Sequence, residues 1–241
     1  MGYESSGIMT FSSPQTDAFT LEFTTSLDEP WTNWGSVVGQ PITGEVMSTV
    51  TPIFYRIKAV DTGVVSNRSF RNYLVSNGFD HNDDGVIDKD EADAITQLGE
   101  RSSVGFQSLD FTPFTNLEYV LFFYGLPHLT NLIVIANTHL QTLSVGGGKL
   151  TQLDLPESIS LESITCGGNL LTNLDLAHVP ALKWLSCENN NIERLDISGN
   201  TNLIGVTAYG NPLSEIVVWW DPTNSSPINL QYDGSPILTN P

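Results

Sequence analysis

Positive charge is the scarcest feature of this chain. Its 241 residues hold 9 Lys and Arg against 27 Asp and Glu, a formal net charge of −18 at pH 7. Nucleic-acid binding draws on a stripe of cations that release counterions from phosphates, so nucleic acid is not an expected partner. Anionic membrane surfaces are disfavoured for the same reason. Long apolar runs are also missing, and none approaches the roughly 20 residues that cross a bilayer, so no membrane insertion is expected. Met1-Gly2-Tyr3-Glu4 carries neither a basic segment nor an apolar one, and no signal peptide is read there. Cysteine is limited to Cys166 and Cys187, too few for a disulfide framework. Catalytic signatures are absent as well. His81, His128, His139 and His178 are scattered without metal-ligand spacing. There is no Gly-x-Ser-x-Gly elbow, phosphate loop or dinucleotide fingerprint, so the chain is not expected to be an enzyme.

What is present suffices for a core: 40% of residues are hydrophobic and 10% aromatic. Residues 1–62 read as a small antiparallel β-sandwich-like domain. Gly7–Phe11, Ala18–Thr25, Gly44–Val50 and Ile53–Val60 are rich in Thr, Val, Ile and Phe, and turn residues such as Asp28-Glu29-Pro30 lie between them. The stretch Leu27–Trp34, followed by Ile53–Ile57, resembles short β-sandwich modules of large secreted bacterial proteins. Trp31 and Trp34 are either core aromatics or a pair on which a sugar stacks.

Residues 63–108 change character. Ser69–Val75 has the apolar spacing of a short helix, and Lys89–Leu98 restarts one after an acidic loop. Asp80-His81-Asn82-Asp83-Asp84-Gly85-Val86-Ile87-Asp88-Lys89-Asp90-Glu91 fits the EF-hand calcium loop at each diagnostic place. Calcium takes about six to eight oxygens, more than an arbitrary acidic loop aims at one point. Asp80, Asn82 and Asp84 offer side-chain oxygens, Gly85 allows the sharp turn and Val86 offers its carbonyl. Asp88 supplies a direct or water-bridged ligand, and Glu91 closes the site through both oxygens. Sensors pair two such loops around a Met-rich groove. A single loop in a chain with 3 Met points to structural Ca2+ that fixes a helical cap.

From Leu109 to Val218 the chain is periodic. Leu140-x-x-Leu143-x-Val145 recurs after 21 residues as Leu161-x-x-Ile164-x-Cys166, then at Leu182, Leu185 and Cys187, then at Leu203, Val206 and Ala208. A parallel series runs through Leu153-Asp154-Leu155, Leu174-Asp175-Leu176 and Leu195-Asp196-Ile197. These are leucine-rich repeats, and they predict a right-handed solenoid with a parallel β-sheet. Asn169, Asn190 and Asn211 form an expected amide ladder, which Gly125 and Gly148 interrupt in the early repeats. The two cysteines fall on inward positions and are expected to be buried thiols rather than a disulfide. Residues 219–241, opening with Trp219-Trp220-Asp221-Pro222, read as a C-terminal cap.

The step of 21, the inward cysteines and the Leu-Asp-Leu strand resemble the cysteine-ladder internalins and related bacterial surface proteins. Phe70–Leu74, the acidic loop and Phe114–Leu117 resemble the N-terminal caps of such repeats. The resemblance implies a secreted or cell-surface bacterial repeat module and is specific to that architecture rather than to a partner. Three readings follow: an adhesion-like monomer that binds an extracellular protein, a carbohydrate-binding piece of a larger secreted protein that binds a glycan, or a purely structural spacer.

Side chains alternate along a strand, so the residues flanking each inward position face the concave side. One column is Tyr119, Thr142, Ser163, Trp184 and Gly205, and another is Phe123, Gly146, Gly167, Glu188 and Tyr209. Between them runs Leu121, Ser144, Thr165, Ser186 and Thr207. A Ser/Thr/Gly floor with Tyr119, Phe123, Trp184, Glu188 and Tyr209 around it is the candidate partner surface. Either all these aromatics are free, or the cap covers Tyr119, Leu121 and Phe123 and leaves only Trp184 and Tyr209.

Overall fold

In the computed structural model, the described residues are the backbone of five strands between residues 8 and 59, together with residues 63–100, 105–122 and 125–241. The chain divides into two compact units, Met1–Gly63 and Val64–Pro241. In the first unit, β1 (Ile8–Phe11) pairs antiparallel with β4 (Ile42–Glu45). A separate antiparallel sheet places β2 (Ala18–Thr24) between β3 (Thr32–Val38) and β5 (Phe54–Ala59). The strand β3 was not expected from local sequence. Gly35 interrupts its β-branched and aromatic residues, and pairing to β2 outweighs that weak propensity. Trp34 falls in β3, while Trp31 and residues 46–50 lie outside the described residues.

The second unit opens with α1 (Arg68–Ser76), whose N-terminus is capped by Asn67: its Oδ1 accepts from the Phe70 amide at 3.0 Å. Phe70 and Leu74 form the buried face of α1. Phe70 sits edge-on to Phe106, Phe111 and Phe114, at centroid distances of 5.7, 5.7 and 5.8 Å. This aromatic cluster seals the first coil. The second helix is shorter than its sequence suggests. α2 spans Lys89–Ala94 only, because Ile95 turns extended and Gln97–Glu100 becomes β6, the first strand of the solenoid sheet. Strand pairing in register with the next coil wins over helical spacing there.

The coils that follow contribute β7 (Ser108–Asp110), β8 (Tyr119–Phe122), β9 (Asn131–Ile133), β10 (Thr142–Ser144), β11 (Ser163–Thr165) and β12 (Trp184–Ser186). They continue with β13 (Arg194–Asp196), β14 (Gly205–Thr207), β15 (Glu215–Val217), β16 (Asn229–Gln231) and β17 (Ile237–Thr239). One seven-stranded parallel sheet runs β16-β14-β12-β11-β10-β8-β6, the inner face of a parallel β-solenoid of leucine-rich repeats. Inward residues meet inward residues throughout: Leu143 stands opposite Val120 and Ile164, and Leu185 opposite Val206. All of these are buried.

The segment read as a C-terminal cap is built as a further coil. β16 pairs with β14, and β17 with β15, in unbroken register. The step from Gly205 to Asn229 is 24 residues rather than 21, which hid this repeat from a fixed-period reading. Trp219 and Trp220, ring centroids 4.8 Å apart and nearly perpendicular, pack half-buried against the core beneath it. No described helix is long and apolar enough to cross a membrane.

Candidate functional site

The polar devices that hold each coil also set the shape of its inner face. Asn169 Oδ1 accepts from the Leu150 amide at 3.1 Å, while its Nδ2 donates to the carbonyls of Val145 and Cys166. Asn190 and Asn211 repeat the arrangement one and two coils later. Each amide therefore ties two neighbouring coils together and satisfies backbone groups buried with it. A second column, on the other side of the coil, was missed by sequence reasoning. Asn137 donates to the carbonyls of Phe111 and Phe114, Ser158 to those of Thr138 and Leu140, and Asn200 to those of Leu176 and Val179. The signal was there, since 137, 158, 179 and 200 share the 21-residue step, but Val179 breaks the polar series.

Left-handed backbone forms a third column: Gly147, Gly168, Asn189, Gly210 and Gly234 have φ of +67°, +68°, +54°, +69° and +75°. It bends each of these five coils just after its inner strand. Cys166 and Cys187 lie beneath that face as buried, free thiols. Burial pushes the Cys187 thiol up to about 12 and the Cys166 thiol well above its ordinary value.

On the concave face itself, Trp184 is 50% exposed and Tyr209 42%. The Trp184 ring lies over Gly205 of the next coil, where a Cβ would stand 2.7 Å and 2.9 Å from its Cζ3 and Cε3 atoms. Glu188 leans the other way: a Cβ at Gly167 would collide with its carboxylate, which also accepts from Ser186 Oγ at 2.7 Å. Glycine in one coil is thus the seat for a large side chain in its neighbour. Tyr119 is half-buried, its hydroxyl donating to Gln141 Oε1 at 2.7 Å, and Gln141 in turn donating to Glu118. Leu121 beside it is also half-buried. Phe123 lies outside the described residues.

The acidic loop between α1 and α2 is wound around its own carboxylates. Asp80, 8% exposed, accepts from the amides of Asp84 and Gly85, and Gly85 takes φ +83° to make that possible. Glu91, 6% exposed, reaches back with both oxygens: Oε1 accepts from His81 and Asn82, and Oε2 from Asp88. Asp88 completes a reciprocal cap by accepting from the Glu91 amide. Asn82 and Asp84 are exposed and turn their oxygens onto the amides of Asp84 and Val86 respectively. Burial raises the Asp84 carboxyl above its ordinary value against the lowering Val86 amide, and the charges of Asp80, Glu91 and Asp88 add to the rise. Among the described residues, no three His, Cys, Asp or Glu side chains form a ready metal cluster. Each carboxylate has about four acceptor positions, so these backbone bonds leave oxygen lone pairs free.

No family model matches the chain, and no curated protein matches its sequence. Among solved structures it is similar to an internalin (inlF) from Listeria monocytogenes, at 15% identity and a TM-score of 0.39, over 61% of this chain and 45% of that one. It is also similar to the functional domain of InlJ from Listeria monocytogenes, which includes a cysteine ladder, at 20% identity and a TM-score of 0.31, over 62% of this chain and 46% of that one. The chain thus covers less than half the length of either structure it resembles.

Proposed function

We propose that the chain is a calcium-stabilised binding module, secreted or surface-exposed and adhesion-like, that holds a protein partner on the concave face of its repeats. The observation that carries this reading is the exposure of Trp184 and Tyr209 on either side of a regular middle column that runs Ser144, Thr165, Ser186 and Thr207. Large aromatics presented on a rigid, small-residue floor make anchors at little entropic cost. The module works as a monomer and by binding rather than by chemistry.

In this reading calcium belongs to the acidic loop. Asp80, Asn82, Asp84, the Val86 carbonyl, Asp88 and Glu91 would hold it. The buried carboxylates of Asp80 and Glu91, drawn in from the two ends of the loop, fit a cation better than they fit one another. The ion would neutralise that charge and fix α2, and through it the start of β6. Calcium added to chelator-treated protein is expected to raise the melting temperature, and Glu91→Gln to abolish the rise. An unchanged melting temperature with calcium would remove the metal from the proposal.

Partner binding is tested with the calcium-loaded chain against panels of cell-surface proteins and polysaccharides, beside a Trp184→Ala/Tyr209→Ala variant. Protein binding that the variant loses supports the reading. Polysaccharide binding lost in the same variant would reassign the face to a glycan. Binding that the variant retains would move function away from the concave face.

A further inference from the structure

The chemistry of the concave face narrows the class of partner. Tyr209 stands between two carboxylates: in sheet register Glu188 lies one strand before it and Asp233 one strand after. Past the strands the Asn189 amide still pairs with the Tyr209 carbonyl (2.8 Å), and the Gly210 amide donates to the Asp233 carboxylate at Oδ2 (2.8 Å), which sets that carboxylate against the residue after Tyr209. With strands about 4.8 Å apart, acid, aromatic and acid form one short row. Trp184 lies at the far side of the floor, four residues from Glu188 along the chain, or about 13 Å of extended backbone.

No cation answers this row from within the described residues. Between residues 105 and 241 there are three Lys and Arg, namely Lys149, Lys183 and Arg194. Lys183 is held by Glu162, and Arg194 by Glu215 and Asp196. Among the described residues, the Glu188 carboxylate accepts only from Ser186 Oγ, and neither Trp184 nor Tyr209 stacks on another ring or cation. Glycines at 167 and 205 leave the room that the Glu188 carboxylate and the Trp184 ring occupy over the neighbouring coils. An aromatic face beside a carboxylate attracts an ammonium or guanidinium group through both ring quadrupole and charge. The net charge of −18 favours approach of the same class of partner.

We infer that the Trp184–Glu188–Tyr209–Asp233 patch binds a lysine- or arginine-bearing extended segment of a partner protein, one basic side chain lodging beside Tyr209 between the carboxylates and another lying on Trp184. This rests on the concave-face reading above and deepens it by naming the chemistry of the partner.

The test measures binding of a labelled hexa-arginine peptide, a Gly/Ser peptide of equal length and cellohexaose to the calcium-loaded chain, at an ionic strength of about 0.15 M. Four variants accompany it: Glu188→Gln, Trp184→Ala, Tyr209→Ala and, as a remote charge control, Asp154→Asn. Melting curves verify that each is folded. The inference expects hexa-arginine alone to bind, about tenfold more weakly in Trp184→Ala and about fivefold more weakly in Glu188→Gln, with Asp154→Asn within about twofold of the parent. Equal weakening by Glu188→Gln and Asp154→Asn would overturn it, since attraction would then belong to the whole acidic surface. So would absence of hexa-arginine binding. Binding of the neutral peptide or cellohexaose that Trp184→Ala loses and Glu188→Gln keeps would overturn the basic-segment inference and leave the concave-face reading standing. Binding indifferent to Trp184→Ala, Tyr209→Ala and Glu188→Gln alike would defeat both.

Discussion

Replacing Asn190 by alanine is expected to cost the solenoid a measurable part of its stability. Its side chain accepts from the Leu171 amide at 3.0 Å and donates to the carbonyls of Cys166 and Cys187 at 3.1 and 3.0 Å, all within the buried interior. Deleting it leaves the Leu171 amide without a partner, while the Cys166 and Cys187 carbonyls each lose one of two bonds and keep those from Asn169 and Asn211. An orphaned buried group costs about 1–3 kcal/mol and a carbonyl that keeps one of two donors costs less, so the loss is about 3 kcal/mol. The control is Asn211→Ala, which removes a matching set of bonds to Ile192, Cys187 and Ala208 where water has access. Its loss is about 1–2 kcal/mol, because water replaces part of what the amide supplied. Urea unfolding followed by circular dichroism gives both values, and hydrogen exchange at the Leu171 amide gives a local reading of the same bond. Equal losses for the two variants, or an Asn190→Ala loss below about 1 kcal/mol, would refute the account of the ladder as the clamp between coils.

Other consequences are as direct. Gly168→Ala forces a side chain into the left-handed region at φ +68° and is expected to cost about 1 kcal/mol in urea unfolding, whereas Asn189→Gly, at φ +54°, is expected to gain up to about 0.5 kcal/mol. Ile164→Ala, at a fully buried inward position, should cost about 2–5 kcal/mol by the same measurement. Thiol reagents should label neither cysteine in the native chain and both in urea, as counted by mass spectrometry. Alkali should also destabilise the fold through these thiols. Their folded values lie above the ordinary 9.0, so above that pH the unfolded chain releases protons that the folded chain keeps. Stability is then full below about pH 8 and falls as pH rises from about 9 toward 12, by at most about 1.4 kcal/mol per pH unit for each thiol. The Cys166→Ala/Cys187→Ala variant should show a flatter alkaline slope.

Much of this architecture is legible in the chain because a solenoid repeats one local problem. Each coil buries the same positions against the coils on either side, so Leu140, Leu161, Leu182 and Leu203 had to recur at a fixed step, and the amides of Asn169, Asn190 and Asn211 with them. The inward cysteines, the parallel sheet and the concave columns follow from that periodicity together with strand alternation. The acidic loop could likewise be read as a candidate ligand set, since each of its positions carries its own chemical requirement.

What the sequence left open depends on contacts between coils. Lys89–Leu98 carries helical spacing, yet the chain leaves the helix after Ala94 because Gln97–Glu100 gains a ladder of hydrogen bonds with β8. The last coil is invisible to a 21-residue period because its step is 24 and its leucines are fewer, but in-register pairing with β14 and β15 determines it. Neither the acid–aromatic–acid row around Tyr209 nor the glycine seats beneath Trp184 and Glu188 exists along the chain. Their members lie 21 to 24 residues apart and become neighbours only when coils stack about 4.8 Å from one another. Sequence by itself thus determined which residues point inward and how often, because burial is decided within one repeat. Tertiary structure decided that residues 219–241 join the repeats and which outward side chains stand together, because both depend on how one coil lies on the next.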